Sequence, residues 1–574
     1  MTIDVTHTAR ATPGRGGSWF SRIGVEGSLP AVGVVIGIVL IATPFLVTLI
    51  RSLLVWDGDA PGLSLGNFLR LFNDARFYTA ITNTFIASAF TTVFSTIMGF
   101  VLAWIVCRTD MPGRKWFETA NLIPFFLSPY VGAVSWIYLA APNSGMIQKA
   151  LNEYLGISVA WMDIYSLPGV IWVLSIFYTP YVYLFIIAPL RQMDASLEDA
   201  ARVHGASFLY TVRRITLPLL APALLSGALV VFVTSAGLFD VPLALATPRG
   251  IRMMPTEIFA AVQYPADFGR ASAFGVIVMC VTILLTLLQR NYIAKRRFDT
   301  ISGKAYRLRL IPLRGVARVG ALAIEVFYIS CGVILPIGAL ILVSVSSFWT
   351  GSFRLRLFTF DNYEYVLFGL RLTREAITNS IILAVVGATL GVVISLMQSY
   401  YLNRGPRKGR GFIDAALALP LGIPGIVLAL GFLLVALRTP LYSTLTIIGI
   451  AFIARFFPMS TRTISGLLIA INPELEQSAR ASGASWLQTM RYILLPLLRP
   501  AIIASWLLLF VIFIRELGAT ILLYAQGTET ISVALILLSE RSSGYVAALA
   551  VVQLCLLIFA IILMKITKTS IIQD

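Results

Sequence analysis

Apolar runs of about 18 to 25 residues recur along this 574-residue chain, with short polar segments between them. A helix needs a run of that length to cross the roughly 30 Å hydrocarbon core of a membrane, where it satisfies its own backbone hydrogen bonds. Hydrophobic residues make up 58% of the chain and charged residues 12%, against about 25% charged residues in an average soluble domain. We therefore expect an all-α polytopic membrane protein and exclude a soluble fold.

The hydropathy pattern predicts about twelve transmembrane helices, six in each half of the chain. The predicted spans are 31–52, 79–105, 117–141, 169–190, 223–246, 271–292, 319–346, 376–402, 412–437, 441–470, 501–525 and 544–566. The stretch before Pro30 is too polar and too rich in glycine for a cleavable signal peptide, so we expect the first span to remain in the protein.

One polar segment occurs twice between these spans. EDAARVHGASFLYTVRRITLPLLAP begins at Glu198 and EQSARASGASWLQTMRYILLPLLRP begins at Glu476, without a gap and with roughly 15 of about 25 positions identical. A second pair of matches, TNTFIASA from Thr82 and TNSIILAV from Thr378, indicates that the whole half is duplicated. The chain is therefore expected to carry the same polar device on each of two related halves.

The halves differ in length between their third and fourth spans. The offset between equivalent positions is 296 at Thr82 and Thr378 but 278 from Pro180 and Pro458 onward, so the first half holds about 18 more residues around 143–168. That segment predicts a short amphipathic helix with turns. On the outer face it would offer a soluble partner two unlike surfaces, and a loop without function is the alternative.

The distribution of basic residues predicts the orientation in the membrane. The net charge is +17, and with both termini in the cytoplasm the cytoplasmic segments collect roughly 29 basic residues against about 14 on the other side. We predict a cytoplasmic tail (1–28), a first half (29–293), a basic cytoplasmic linker (294–318) and a second half (319–574). The linker is expected to lie near anionic lipid headgroups, and no nucleic-acid partner is expected.

Each repeated loop predicts a short helix with a capped start. Ser196, with Asp199 three residues later, is the expected cap in the first copy. Asn472, with Pro473 at the first helical position, is the expected cap in the second. Both helices are expected to lie outside the membrane, because the loops that carry them are polar.

The same loops contain glycines and prolines at equivalent positions. Gly205 and Gly483 come about two turns after the predicted helix starts, where a left-handed residue would end the helix and reverse the chain. A second helical stretch should follow and break at Pro218 or Pro496. The predicted product is a stiff surface helix joined to two spans, which suits docking of a partner better than catalysis.

The two repeated loops share a pattern of small, acidic and apolar residues at fixed spacing. The matching positions are Glu198, Ala200, Ala201, Gly205, Ile215, Leu217 and Pro218, and again Glu476, Ser478, Ala479, Gly483, Ile493, Leu495 and Pro496. The pattern resembles the EAA loop of ATP-binding-cassette importer permeases, with Ser478 in place of an alanine. The resemblance implies a type I, MetI-like fold in a bacterial inner membrane.

In that family the loop is the coupling helix that docks on the ATPase. The resemblance therefore implies two copies of an ATPase subunit and a periplasmic or extracellular solute-binding protein as partners, besides the lipid bilayer. The implied coupling residues are Glu198, Ala200, Ala201, Gly205, Glu476, Ser478, Ala479 and Gly483. The chain has no G-x-x-x-x-G-K-[ST] segment, so ATP and Mg²⁺ should be used by the partner, and no enzyme activity, catalytic residue, cofactor or metal site is expected here.

Two further segments suggest a cargo. RELGATILLY, near Arg515, and GLFDVPLAL, near Gly237, resemble the ferric-iron (Fbp-type) group of fused permeases. Ferric iron is thus the implied cargo. Thiamine, phosphonates, sugar phosphates and polyamines remain alternatives, because similar permeases carry them.

Four charged residues fall within or near the ends of apolar spans, where an ionised group is costly unless it faces water or a partner. Asp240, Arg455, Arg515 and Glu516 are therefore candidates for the translocation pathway. The arginines would favour an anionic cargo, whereas Glu516 could neutralise Arg515 or pair with Arg455. A buried ion pair that fixes the helix register is the structural alternative.

A secondary transporter and a membrane-embedded enzyme are the alternatives to the importer. A stand-alone secondary transporter with twelve helices would leave the two ungapped polar repeats unexplained. A membrane-embedded enzyme needs a cluster of reactive groups at one depth, and only Arg455, Arg515 and Glu516 offer one.

Overall fold

The computed structural model describes residues 25–57, 60–156, 163–295, 310–351, 355–406 and 408–566. Its α-helices are α1 Val25–Leu53, α2 Gly66–Phe72, α3 Ala75–Arg108, α4 Arg114–Ala120, α5 Ile123–Phe126, α6 Pro129–Ala140, α7 Met146–Leu155, α8 Leu167–Gln192, α9 Ala195–Val203, α10 Phe208–Thr211, α11 Leu217–Ala236, α12 Asp240–Leu245, α13 Met254–Val262, α14 Phe268–Lys295, α15 Val316–Ile329, α16 Leu335–Ser344, α17 Asp361–Glu364, α18 Arg371–Arg404, α19 Arg410–Ala418, α20 Gly425–Ala436, α21 Leu445–Ala470, α22 Glu474–Ala481, α23 Trp486–Thr489, α24 Leu495–Arg515, α25 Ile531–Ser539 and α26 Ser543–Ile566. A small antiparallel hairpin, β1 Leu54–Asp57 and β2 Ala60–Leu63, follows α1.

Ten helical segments in the described part of the chain are long and apolar enough to cross a membrane. Two further segments pass the same test as bent pairs, Arg114–Phe126 with Pro129–Ala140 and Arg410–Gly422 with Gly425–Ala436. If each bent pair counts as one span the total is twelve, six on either side of the linker. The prediction of an all-α polytopic membrane protein built from two six-helix halves is confirmed.

The third and ninth predicted spans are not single helices. Their two parts meet at 98° and 101°, directly before Pro129 and at Pro424. A proline disfavours the helical conformation in the residue before it. Accordingly Ser128 and Ile423 are extended, with ψ of 128° and 123°. The bend occurs at the same place in both halves.

The fifth and eleventh spans begin earlier in the chain than predicted. They run over Val212–Ala236 and Trp486–Arg515 instead of 223–246 and 501–525. Each span therefore begins inside a repeated loop, and no separate surface segment lies between the loop and the span.

The reason is that Pro218 and Pro496 do not break the helix as predicted. A π turn precedes each proline, at Val212–Thr216 and Met490–Leu494. The wider π turn accommodates a residue that lacks the N–H needed for the regular ladder, so the helix continues through it. Each repeated loop is thus continuous with the next span.

Small residues allow close helix packing within each half. In the first half α3 packs against α8 and α11, and in the second half α18 packs in the same way against α21 and α24. A Cβ at Gly99 would lie 3.1 Å from Thr179 O, and one at Gly387 would lie 2.8 Å from the ring of Phe513. Such close approach is typical of helix interfaces in membranes.

The first span of each half packs against the other half. Helix α1 contacts α18 and α20 of the second half, and α16 contacts α6 of the first half. The two halves are therefore interlocked as well as connected by the linker.

Both repeated loops lie at the same end of the bundle. Where the described chain resumes after the linker, Ile311 forms a parallel bridge with Thr109, at the end of α3 that adjoins the first repeated loop. The chain then crosses once through α15 and α16 and returns through α18, whose final residue Arg404 contacts the second loop at Glu476. We call this end of the bundle the loop end.

The extra segment of the first half contains the predicted short helix. Helix α7 covers Met146–Leu155 and ends at Gly156, which has φ of +63°. Lys149 Nζ donates a hydrogen bond to Thr350 O, so α7 also contacts the second half. Residues 157–162 of the segment, residues 1–24 of the tail and residues 296–309 of the linker lie outside the described residues.

Candidate functional site

The first repeated loop (residues 194–218) contains α9, with a cap at its start that differs from the predicted one. Asp194 Oδ1 accepts a hydrogen bond from Ser196 N at 2.8 Å. The prediction that Ser196 is the cap is wrong, because Ser196 is the second residue of the helix. Asp194, which directly precedes the helix, is the cap. At the other end Ala206 N donates to Ala201 O at 3.0 Å, the long bond of a Schellman motif.

The second repeated loop (residues 472–496) contains α22 with the predicted cap. Asn472 Oδ1 accepts a hydrogen bond from Glu474 N at 3.0 Å. Pro473 directly precedes the first residue of α22, one position earlier than predicted. Ala484 N donates to Ala479 O at 3.0 Å, so the same Schellman motif ends this helix.

Both loops reverse at a left-handed glycine, as predicted. The φ angles are +79° at Gly205 and +84° at Gly483. A Cβ added at either position would meet nothing within 4 Å. The glycines are therefore required by the backbone conformation and not by crowding.

The residues carried over from the family motif divide into two groups by exposure. Small residues of the motif are exposed or half-buried, whereas its glutamates are buried. The exposed residues are Ala200, Gly205, Ser478 and Gly483, the half-buried ones are Ala201 and Ala479, and the buried ones are Glu198 and Glu476. A partner could thus contact the small residues directly.

The buried glutamates fasten each loop to the chain's own spans. Glu476 accepts hydrogen bonds from Arg404 Nε at 2.7 Å and from Tyr400 OH at 3.1 Å, both in α18. Glu198 accepts a hydrogen bond from Thr216 Oγ1 at 2.7 Å, in the π turn that leads into α11. Helices α9 and α22 are therefore each joined to the rest of their half by a glutamate side chain in addition to the peptide backbone.

Three of the four residues predicted for the pathway lie close together where the two halves meet. Arg455 Nη1 forms an ion pair with Glu516 Oε1, and a Cβ at Gly518 would lie 3.6 Å from each of these atoms and 3.9 Å from Asp240 Oδ1. A Cβ at Gly425 would overlap the Arg455 guanidinium at 1.8 Å, so this glycine makes the space for it. We call Asp240, Arg455 and Glu516 the charged cluster.

The charged cluster lies beside two positions that are equivalent in the two halves, Asp240 and Gly518. Asp240 and Gly518 are separated by the 278-residue offset of the halves, and each follows the end of its half's fifth span. Two pairings were possible for Glu516, with Arg515 or with Arg455. The structure shows the ion pair with Arg455. Among the described residues, no group of three or more His, Cys, Asp or Glu side chains is arranged to hold a metal ion.

Arg515 performs a different task from its neighbour Glu516. Its Nη1 donates hydrogen bonds to Phe125 O and, at 2.9 Å, to Leu127 O, both at the bend of the first half. Its equivalent in the first half, Gly237, packs against Pro424 at the bend of the second half, with 2.9 Å from an added Cβ to Pro424 Cγ. The end of each fifth span thus contacts the bent pair of the other half.

Two long stretches of the chain, residues 95–298 and 387–572, match the family model of binding-protein-dependent transport system inner membrane components. Together they cover more than half of the sequence, one stretch in each half. The chain belongs to this family. This binding-protein-dependent permease is accordingly the transmembrane subunit of an ATP-binding-cassette importer, with two fused permease halves.

Two relatives align with the permease over most of its length. It is 24% identical to the ferric transport system permease protein FbpB of Actinobacillus pleuropneumoniae over 92% of its own length and 76% of the relative's. It is 24% identical to the Fe(3+)-transport system permease protein FbpB 2 of Haemophilus influenzae over 90% of its own length and 93% of the relative's. A solved bacterial ABC transporter that imports alginate matches 42% of the permease and 86% of that chain, at 22% identity and a TM-score of 0.36.

Several residues of the permease site were not predicted from the sequence. Arg404 and Thr216, which hold the glutamates, belong to spans and carry no motif of their own. Glu325 is fully buried in α15 and accepts a hydrogen bond from Asn121 Nδ2 at 2.9 Å, across the two halves. One sequence signal could have identified Arg404: Arg108 and Arg404 are separated by 296 residues, the same offset as Thr82 and Thr378, so the two arginines occupy equivalent positions in the halves.

Proposed function

We propose that this permease imports ferric iron across a bacterial inner membrane, with the cargo delivered by a soluble binding protein. Two observations support this cargo. The RELGATILLY and GLFDVPLAL segments resemble those of the ferric-iron group, and two relatives that align over most of the chain are named as ferric transport permeases. Thiamine, phosphonate, sugar-phosphate and polyamine import are the alternatives.

Both pathway arginines already have partners within the protein, and this affects which cargo charge is expected. Arg455 is paired with Glu516, and Arg515 is bonded to the carbonyl oxygens of Phe125 and Leu127. Neither guanidinium is left to attract an anion, so the reason for expecting an anionic cargo is weakened. Asp240, Arg455, Arg515 and Glu516 remain our candidates for the pathway, with Asp240 the carboxylate that forms no ion pair within the described residues.

We further propose that the two repeated loops dock on two separate ATPase subunits. The observation that carries this proposal is the matched pair of capped helices, α9 and α22. Each is followed by a glycine reversal and a single helical turn, α10 or α23, which continues through a π turn into a fifth span. Movement of either helix by a partner is expected to be transmitted to α11 or α24, because only a short reversal and one helical turn lie between them and the glutamate of each helix is bonded to a span or to the π turn before one. The loop end and both termini would then face the cytoplasm, as the excess of basic residues predicts.

The coupling role is tested by proline substitution of the loop glycines. Gly205→Pro and Gly483→Pro require φ near −65° where the loops have about +80°, so the reversal at the end of α9 or α22 should be lost. We expect normal membrane insertion, continued ATP hydrolysis by the bound subunits, and loss of uptake. The measurement is uptake and ATP hydrolysis by the reconstituted complex.

Asparagine provides the matched control, because it tolerates the left-handed conformation better than other non-glycine residues. Gly205→Asn and Gly483→Asn should retain most of the uptake. Wild-type uptake in both proline variants would contradict the coupling role.

The cargo is tested with the cognate binding protein. The ligand that copurifies with it is identified by elemental analysis and mass spectrometry, and the loaded protein is then supplied to proteoliposomes that contain the permease and its ATPase. We expect iron, taken up in an ATP-dependent manner. An organic phosphate, thiamine or a polyamine in its place would refute the iron proposal and leave the importer intact.

Removal of the ATPase separates the importer from a secondary transporter. Cells that lack the cognate ATPase subunit should lose uptake through this permease, because the chain has no phosphate-binding segment of its own. Uptake that survived the deletion would favour the secondary transporter.

A further inference from the structure

Each half carries an arginine at the loop end that contacts the segment before its repeated loop. Arg108 Nη2 donates a hydrogen bond to Met193 O at 3.0 Å, and Arg404 Nη2 donates one to Ile471 O at 2.7 Å. The arginines are 296 positions apart and the carbonyl residues 278 apart, which are the offsets of the two halves. The two guanidinium groups are therefore anchored at equivalent places.

The two arginines differ in what else they bind. Arg404 Nε donates to Glu476 Oε1, whereas Arg108 is 1% exposed and its Nε and Nη1 have no hydrogen-bond partner among the described residues. Glu198, the equivalent of Glu476, accepts from Thr216 instead. A guanidinium group removed from water with two unused donors is an unfavourable arrangement.

Two sequence differences between the halves explain the different pairing. The equivalent of Thr216 is Leu494, which is fully buried and has no hydroxyl to offer Glu476. The equivalent of Tyr400, which donates to Glu476 Oε2, is Trp104, which has no hydroxyl either. The glutamate of the second loop is therefore bonded to Arg404 and Tyr400 of α18, whereas the glutamate of the first loop is bonded to Thr216.

We propose that Glu198 exchanges Thr216 for Arg108 during the transport cycle, so that α9 alternates between two attachments while α22 keeps one. Thr216 lies at the base of α11 and Arg108 ends α3, so the exchange transfers α9 from the fifth span of its half to the second. Thr216 loses little when released, because a threonine hydroxyl in a helix can bond a preceding carbonyl. The inference rests on the proposed coupling role of the repeated loops.

Hydrogen bonds to the end of the linker hold the backbone around Arg108, so the proposal assigns the movement to α9. Ile311 N donates to Arg108 O at 2.8 Å, and Asp110 N donates to Ile311 O at 3.2 Å. Leu313 N also donates to Asp110 Oδ1 at 2.7 Å. The end of the linker thus holds the end of α3 in place, while α9 is attached through Glu198.

Disulfide cross-linking tests the exchange with an internal control. In a background with Cys107, Cys280, Cys331 and Cys555 replaced, one variant carries Arg108→Cys with Glu198→Cys and the other carries Arg404→Cys with Glu476→Cys. Each is assembled with its ATPase subunits and binding protein in proteoliposomes, and is oxidised either without nucleotide or after trapping with ATP and vanadate.

We expect the second pair to cross-link to the same extent in both states and the first pair to cross-link in one state only. Equal cross-linking of the first pair in both states, or none in either, would overturn the exchange.

Substitution of Thr216 provides a second, functional test with the native glutamate and arginine in place. Thr216→Leu copies the second half and should hold Glu198 on Arg108, which we expect to lower uptake roughly tenfold, the effect of losing one hydrogen bond to a charged group. Thr216→Ser keeps a hydroxyl and should restore most of the uptake. Similar uptake in the two variants would overturn the exchange, whereas ATPase-independent uptake would overturn the coupling role itself.

Discussion

Arg455 and Glu516 form an ion pair whose two members depend on each other. Both side chains are largely buried, with 20% and 11% of their surface exposed, and Arg455 lies well inside the 26-residue helix α21. Asp240 is the next carboxylate in the charged cluster. Loss of the arginine would therefore leave two buried carboxylates without a positive charge between them.

From this arrangement we predict that Arg455→Gln destabilises the permease by about 3 kcal/mol, the typical cost of breaking a buried ion pair. The double variant Arg455→Gln with Glu516→Gln should recover most of that loss, because neither side chain is then left charged. Unfolding of the purified permease in detergent, followed by thermal denaturation, measures both. Destabilisations that simply add in the double variant would show that the two residues do not act as a pair.

At the scale of a single helix, the start of α9 depends on one side chain. Asp194 accepts a hydrogen bond from Ser196 N, and its negative charge also lies at the favourable end of the helix dipole. Ser196, three residues before Asp199, resembles a cap in the sequence but lies within the helix.

We therefore predict that Asp194→Ala destabilises α9 by about 1 kcal/mol and that Ser196→Ala has little effect. Hydrogen exchange of the α9 amides in the assembled permease distinguishes the two variants, with faster exchange expected in Asp194→Ala alone. Asn472→Ala is the matched variant in α22 and should behave like Asp194→Ala. Faster exchange in Ser196→Ala would restore serine as the cap.

The sequence predicted the helices better than the bends and turns that connect them. Span number, the duplicated loops and the glycine reversals follow from hydropathy and from backbone chemistry, which are local properties. The bends at Pro129 and Pro424 and the π turns before Pro218 and Pro496 were not predicted, because a proline permits a bend, a break or a wider turn and packing selects among them.

For the site, the sequence identified most of the residues but left their partners open, as with Glu516, for which both Arg515 and Arg455 were possible. The charged cluster was predicted as a set, yet its pairing depends on Gly518 and Gly425, whose importance lies in missing side chains. Arg404 and Thr216 bind the two glutamates. Arg404 is far from the second loop in sequence, and Thr216 lies within the first loop but belongs to no motif. Such long-range pairing cannot be read from a single chain without its fold.

At the scale of the whole molecule, the halves are held together by more than the linker. Helix α1 packs against α18 and α20, α16 packs against α6, and Arg515 binds the carbonyl oxygens of Phe125 and Leu127. These contacts cross from one half to the other on several sides of the bundle.

We accordingly predict that cutting the linker does not separate the halves. A protease site placed within residues 296–309, followed by cleavage of the assembled importer, should leave both fragments in one complex that retains ATP-dependent uptake. Size-exclusion chromatography in detergent and an uptake assay provide the readout, with an uncut sample of the same variant as the control. Dissociation into two fragments after cleavage would mean that the contacts between α1 and the second half are weak.

The placement of α1 also has a consequence for biosynthesis. Helix α1 leaves the ribosome long before α20, against which it packs and which ends at Ala436. At 5 to 20 residues per second, translation of the intervening chain takes on the order of half a minute. During that time α1 must wait in lipid, or beside the insertion machinery, with its future packing face uncovered, so a newly made first half is an assembly intermediate and not a finished unit.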